Sequence, residues 1–393
     1  MSTLGEMSPR RRRTSPPPAS LPDDDDLLRE ILLRLPPRPS SLPRASLVSK
    51  RWRSLVADPQ FQRRFRGHHG KPPLLGFFLD EYSSCPFVPL LDRPDRIPGD
   101  RFFKPLHEGN RIVDCRHGLV LIFSSRQNTW PPRHLLVWDP VAREQYRLIF
   151  PPELDVDQMF IFNGAVLRPA RSHGHFQVAL VAHYVRDDNP KRVFACLYSS
   201  ENGTWSNINS LQLQTFIASP EPSTLIGNSI CWLIKEGHHH HRRYVIVEFD
   251  LDRQSLAVTE LPPHVEAGIS KLRIMPTEDG GLGFIVLSGF QAKIWKRKPD
   301  SDGLAVWVLD RAIEFKELSS TWKGYLFVVG FAEESNALLL KIGSALFMVY
   351  LQSMEFQKLP NMTGFHSYYP FEFCYAAGTG IGDGHGGDEV NNM

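Results

Sequence analysis

The densest run of potential metal-ligating side chains is His238–His241. Neutral imidazoles bind zinc, but a structural site draws fixed ligands from separate elements. Gly237 before the run and Arg242-Arg243 after it mark a hairpin loop whose cationic neighbours disfavour a dication. His173-Gly174-His175 and His68-His69 read as solvated segments in the same way. Gly280-Gly281-Leu282-Gly283 precedes a strand pattern, not a helix, so it is a turn and not a nucleotide loop. No G-x-S-x-G, H-E-x-x-H or Walker-type motif occurs. Acid–base pairs converge in space, and none stands out along the chain. The tryptophans Trp130, Trp138, Trp205, Trp232, Trp295, Trp307 and Trp322 fit a sheet core better than a ligand cage. The sequence therefore predicts no catalytic residue, no metal and no cofactor.

What positions these residues follows from composition and pattern. The chain has 393 residues, 42% apolar and 22% charged, enough for a sizeable core and neither fibrous nor disordered throughout. Its net charge of +2 conceals an asymmetry: residues 1–69 hold 14 Lys/Arg against 7 Asp/Glu, and the rest holds 31 against 36. An acidic main region argues against nucleic acid as the partner. Cys85, Cys115, Cys196, Cys231 and Cys374 are dispersed and odd in number, which fits reduced thiols in the cytoplasm or nucleus rather than a disulfide framework. No apolar run approaches the roughly 18–20 residues that span a bilayer, and the N-terminus lacks a secretory apolar core. The glycosylation-type triplets at Asn202 and Asn361 are then without consequence. Arg10–Arg13 is either a nuclear-import patch or part of a solvated tail.

Residues 1–20 are rich in Pro, Ser and Arg, and residues 378–393 in Gly, Asp and Asn. Neither segment can bury enough apolar surface to offset the entropy of ordering, so both are expected to be disordered. Between them lie a helical region, 21–69, and a strand-rich region, 72–377. In the first, Asp23–Asp26 precede an apolar pattern at Leu27, Leu28, Ile31, Leu32 and Leu35. Carboxylates there complement a helix N-terminus. The apolar arc is wider than one packing face needs, and Pro36-Pro37 end the helix. A second helix is predicted from about Leu42 to Ala57, with Ala45, Val48, Trp52, Leu55 and Val56 on one stripe. Asp58-Pro59 reads as N-cap and first residue of a third, carrying Phe61 and Phe65. Three such short helices make a marginal core, so a partner is expected to complete their burial.

The ordered elements Leu21-Pro22-Asp23, Leu28-Arg29-Glu30-Ile31-Leu32, Leu35-Pro36, Leu47-Val48-Ser49-Lys50-Arg51-Trp52 and Asp58-Pro59-x-Phe61 resemble the F-box, in the version of the large plant F-box families. The departures are an unusually acidic Asp run, Ala45-Ser46 where many members carry a bulkier pair, and a proline-heavy linker at 37–41. The resemblance implies a docking module for the Skp-type adaptor of a cullin–RING ubiquitin ligase. It assigns adaptor contacts to Leu21, Pro22, Leu28, Ile31, Leu35, Leu47, Val48, Lys50 and Trp52. Val48 and Trp52 also lie on the stripe that would form the bundle core; Leu47 lies off it, which favours partner contact.

The strand-rich region repeats. Apolar–Pro steps close strand pairs at Phe150-Pro151, Leu261-Pro262 and Leu359-Pro360, and segments between them have a last strand starting at Trp205 or Trp307. Asp139 and Asp250 each stand twelve residues before the proline of their unit. The markers 151, 205, 262, 307 and 360 are spaced 54, 57, 45 and 53 apart, and one more period back reaches Pro105. Six units of roughly 50 residues, each with three or four short strands, predict an all-β propeller, with six blades favoured over five or seven. The alternative, a pair of β-sandwiches, would need no such recurrence. An early strand at 73–79 and a late one at 371–375 are candidates to close the ring within one blade, removing exposed edges. Cys115-Arg116-His117-Gly118-Leu119 and Val137-Trp138-Asp139-Pro140 also resemble the F-box-associated propellers of plant proteins.

The expected molecule is thus mixed and multidomain: a small all-α F-box followed by an all-β propeller. It would be a non-catalytic substrate receptor of an SCF-type ligase, using its propeller to present a protein target that the sequence does not identify. The rival reading is a propeller that binds a sugar or small molecule, or performs catalysis, in its central funnel.

Overall fold

The computed structural model describes residues 25–374 except 81–83, 103, 106–109, 126–133, 155–158, 170–174, 185–191, 214–215, 218–220, 237–242, 264, 266–270 and 361–366. Both tails, Leu21, Pro22, Trp130 and His238–His241 lie outside the described residues.

Four helices come first: α1 Asp25–Leu33, α2 Ser41–Ser46, α3 Lys50–Ala57 and α4 Pro59–His69. The single helix expected over 42–57 is two. The break is chemical: Ser49 adopts an extended conformation and its side chain accepts the Trp52 amide, capping α3 and leaving Leu47-Val48 in the turn. Asp58 caps α4 as expected, accepting the amides of Gln60 and Phe61 beside Pro59. Leu28, Leu32, Leu33, Leu42, Ala45, Leu55, Val56, Phe61 and Phe65 form a core confined to these helices.

The remainder is a ring of six blades. Blade 1 joins Leu74–Leu79 and Phe87–Pro89 to the late strand Tyr368–Glu372. Blade 2 is the antiparallel series Arg111–Arg116, Leu119–Ser124, His134–Asp139 and Glu144–Ile149. Blade 3 runs from Met159–Leu167 to Asn209–Gln212, and blade 4 from Phe216–Ile217 to Ser255–Glu260. Blade 5 spans Leu272–Pro276 to Ala305–Glu314; blade 6 spans Leu326–Ala332 to Phe356–Leu359. The early strand pairs with the late one, Leu74 opposite Glu372 and Leu79 opposite Tyr368, so the two ends of the ring share a blade. The late strand sits three residues ahead of its expected position.

Six apolar clusters fill the gaps between successive blades, the last joining blade 6 to blade 1. That arrangement explains the sequence pattern. Strands inside a blade are covered on both faces and read as unbroken apolar runs, as in fully buried Leu119–Ser124; the outermost strand Glu144–Ile149 is exposed at all but one position.

The repeated markers have a physical role. The indole N–H of Trp205 donates to the Ile149 carbonyl at 2.9 Å, and that of Trp307 donates to the Glu260 carbonyl at 2.7 Å. Each tryptophan thereby ties its blade to the end of the outer strand before it, one residue ahead of the apolar–Pro step. Asp139 and Asp250 organise the turns into those outer strands, each accepting two backbone amides.

Candidate docking surface

Of the nine residues assigned to adaptor contact, Leu47, Val48, Ile31 and Lys50 stand exposed. Leu47 is 75% exposed and Val48 58%, both in the turn that Ser49 creates. Ile31 is 39% exposed. Leu35 and Trp52 are half-buried against the bundle core. Leu28 is a correction: at 3% exposure it packs inside the bundle with Leu32 and Phe61 and has no surface left for a partner. Its neighbour Leu27 holds the outward place instead, 47% exposed and four residues before Ile31 on the same face of α1. The signal was present in the over-wide apolar arc, but periodicity alone does not say which edge of the arc is covered.

Ion pairs at the edges hold this surface in shape. Arg51 at the start of α3 bonds Asp25 at 2.7 Å, and Arg64 of α4 bonds Glu30 of α1 at 3.1 Å. Both are solvent-exposed and add little stability. They do fix α1 against α3 and α4 while Leu27, Ile31, Leu47 and Val48 remain in water. Four large apolar side chains left in water by a bundle that already has its own core are suited to a desolvated protein interface.

The bundle is seated on the propeller through Asp95, which is buried and accepts both the amide and the hydroxyl of Ser40, at 3.0 and 2.6 Å.

The propeller axis is the other place where chemistry gathers. Arg116, from the innermost strand of blade 2, is buried and uses every donor: Nε and one terminal nitrogen to Glu333 at 2.9 and 2.7 Å, and the other nitrogen to Asp114 at 2.8 Å. Ser223 takes the remaining bonds through its hydroxyl and its carbonyl. Asp114 in turn accepts the Val166 amide of blade 3 at 2.8 Å. Burial raises the Asp114 carboxyl to about 6, against the pull of Arg116. For Arg116 itself burial acts to lower the pKa, and Asp114 and Glu333 more than reverse it, so the guanidinium stays charged. Burial and the adjacent Arg116 push His117 down to about 4; its Nδ1 accepts the Arg168 amide, leaving the proton on Nε2. Burial also raises Glu372 to about 7. Titratable groups do converge here, as the funnel reading requires. The space beside them, however, is about 40 Å³, room for a few waters, whereas small-molecule sites are commonly about 300 Å³ or more. The axis is filled by its own ion pairs. Sequence reasoning missed the role of Arg116 because, Asp114 aside, its partners lie 107 and 217 residues away.

Comparisons with known proteins accord with both regions. A family model described as the F-box domain matches residues 19–64, and one described as F-box protein AT5G49610-like, beta-propeller, matches residues 111–375. F-box protein At5g03970 of Arabidopsis thaliana is 22% identical over 356 residues, 82% of this chain and 79% of that protein. The putative F-box protein At3g19560 of the same plant is 30% identical over 155 residues, 38% of this chain and 40% of its own. Among solved structures, the periplasmic gluconolactonase PpgL of Pseudomonas aeruginosa aligns over 74% of this chain and 83% of its own at 9% identity and a TM-score of 0.41.

Proposed function

We propose that this chain, which belongs to the plant F-box proteins with an AT5G49610-like propeller, is the substrate-receptor subunit of a Skp–cullin–F-box ubiquitin ligase. In this reading the exposed face of α1 and the α2–α3 turn docks a Skp-type adaptor, and the propeller holds a target protein. Catalysis belongs to the ubiquitin-charged enzyme brought by the cullin. The receptor's contribution is proximity, because two binding modules on one chain raise the effective concentration of target lysines near that enzyme.

The observation that supports this most is the quartet Leu27, Ile31, Leu47 and Val48, exposed on a bundle whose core is complete without them. Covering a side chain of this size fully is worth about 1.5–3 kcal/mol. Partial covering of four contributes to association, and the rest must come from the complementarity of the partner's surface. The test is calorimetric titration of the full chain with a purified plant Skp-type adaptor. The paired substitutions Leu47→Asp and Val48→Asp should weaken binding by about 100-fold or more. Their positions in a solvent-facing turn predict a change in unfolding free energy within about 0.5 kcal/mol. Undiminished binding by that variant would refute the docking face.

A further inference from the structure

We infer that the adaptor's footprint does not end on the helices but continues into a cleft shared with the propeller, where it inserts an acidic segment. This rests on the docking reading above and extends it to residues outside the F-box.

The cleft, about 380 Å³, is floored on one side by Pro39, Pro43 and Leu47 and on the other by Pro94, Ile97 and Pro98. The second group belongs to the connection that leaves the Phe87–Pro89 strand of blade 1 and ends in the short turn Gly99–Phe102. Three features argue for occupation by the adaptor. Leu47 belongs to both surfaces: it lines the cleft and is the most exposed apolar residue of the docking face, so a partner covering one reaches the other. Arginines border the cleft from both modules, Arg44 on α2 and Arg96 on the propeller side. The carboxylate among them, Asp95, is buried, is held by Ser40, and has its charge set against that of Arg38 at 3.7 Å. An apolar floor with a cationic rim calls for a segment carrying carboxylates beside small apolar side chains.

The cleft is also preformed. Asp95 binds the amide and hydroxyl of Ser40, the residue that leads into α2, and so fixes the helical bundle against blade 1. A partner that fills it pays no cost of assembling the two walls. It would also lock the angle between the adaptor and the propeller, which sets where a target is carried relative to the ligase.

The test uses the full chain and the full adaptor, titrated over a range of salt concentrations. Arg96→Glu changes an exposed side chain on the propeller wall of the cleft, outside the F-box segment of the chain. It should weaken adaptor binding about 5- to 20-fold at low salt and flatten the salt dependence, because a rim charge acts through long-range attraction. Arg44→Glu should act in the same sense from the opposite wall. Unchanged affinity and salt slope in R96E, with the unaltered chain binding normally, would overturn the extension while leaving the docking face standing. Loss of self-association in R96E, seen by sedimentation without change in adaptor affinity, would assign the cleft to a second copy and equally overturn it. Failure of the unaltered chain to bind would remove the docking reading and this extension together.

Discussion

The helical bundle and the propeller axis depart from ordinary burial in opposite directions. The bundle leaves Leu27, Ile31, Leu47 and Val48 in water, while the axis takes Arg116 and Asp114 out of it. Each departure answers a demand that short-range packing does not meet. At the axis the demand is internal. Arg116 reaches Ser223, between the short strands Phe216–Ile217 and Thr224–Ile226 of blade 4, and Glu333, just past Leu326–Ala332 of blade 6, so one side chain links three blades. On the bundle the demand is external, because its own core is complete and the exposed residues add nothing to it. Buried charge here serves closure; exposed apolar surface is what the proposed docking uses.

The sharpest way to break that contrast is at the axis. Replacing Arg116 with Ala leaves Asp114 and Glu333 without their shared cation in a largely buried site, and loss of one partner of a buried pair costs about 3–5 kcal/mol. Thermal unfolding of R116A should show a Tm lower by several degrees, while adaptor affinity below the transition stays as in the unaltered chain. The Leu47→Asp, Val48→Asp pair should do the reverse, losing affinity and keeping Tm. If both variants lost both properties, the two regions would not be separable.

A smaller effect is expected where one blade is tied to the next. Trp205→Phe keeps the ring but removes the donor to the Ile149 carbonyl, and should cost about 1 kcal/mol in denaturant unfolding without touching adaptor binding. Trp307→Phe should match it, since the same bond recurs to Glu260.

The smallest effect is in pH, because signs oppose. His117 falls to about 4 in the folded chain, so between there and its ordinary 6.5 the unfolded chain holds more protons; its contribution to stability grows as pH rises through that window and is lost as pH falls. Asp114 at about 6 and Glu372 at about 7 are raised, so the folded chain holds more protons above pH 4; their contribution is present in acid and is lost as pH rises toward 7. The two carboxyls outnumber the one histidine between about pH 4.5 and 6, so stability should fall with pH there, less steeply than the carboxyls alone would make it. His117→Asn suits the left-handed backbone at φ 53° and removes the first contribution, so urea unfolding of that variant should show stability falling from pH 5 to 7.

Legibility in the sequence followed the range of the interaction. The Asp58-Pro59 helix start, the ring of six and its closure by early and late strands rest on local pattern or on recurrence, and both are visible in one dimension. The Trp and apolar–Pro markers are readable as a period, whereas the bonds from the indoles to the carbonyls just before those steps are not. The break at Leu47–Ser49 was hidden because apolar spacing runs on through it, whereas a single serine hydroxyl decides it. Leu28 was assigned to the partner and Leu27 was not, because adjacent residues on a wide arc differ only in which neighbour covers them. The Arg116 hub and the cleft at Arg96 depend on partners brought together by the closed ring and by the seat of the bundle on blade 1. No spacing in the chain encodes them.

Hydrogen–deuterium exchange of the full chain, with and without a saturating Skp-type adaptor, tests the central claim most directly. Protection should appear in peptides covering 25–35 and 44–55, with the inner strands of blades 2–5 unchanged. Protection confined to the propeller, with the helices exchanging as they do alone, would contradict the account.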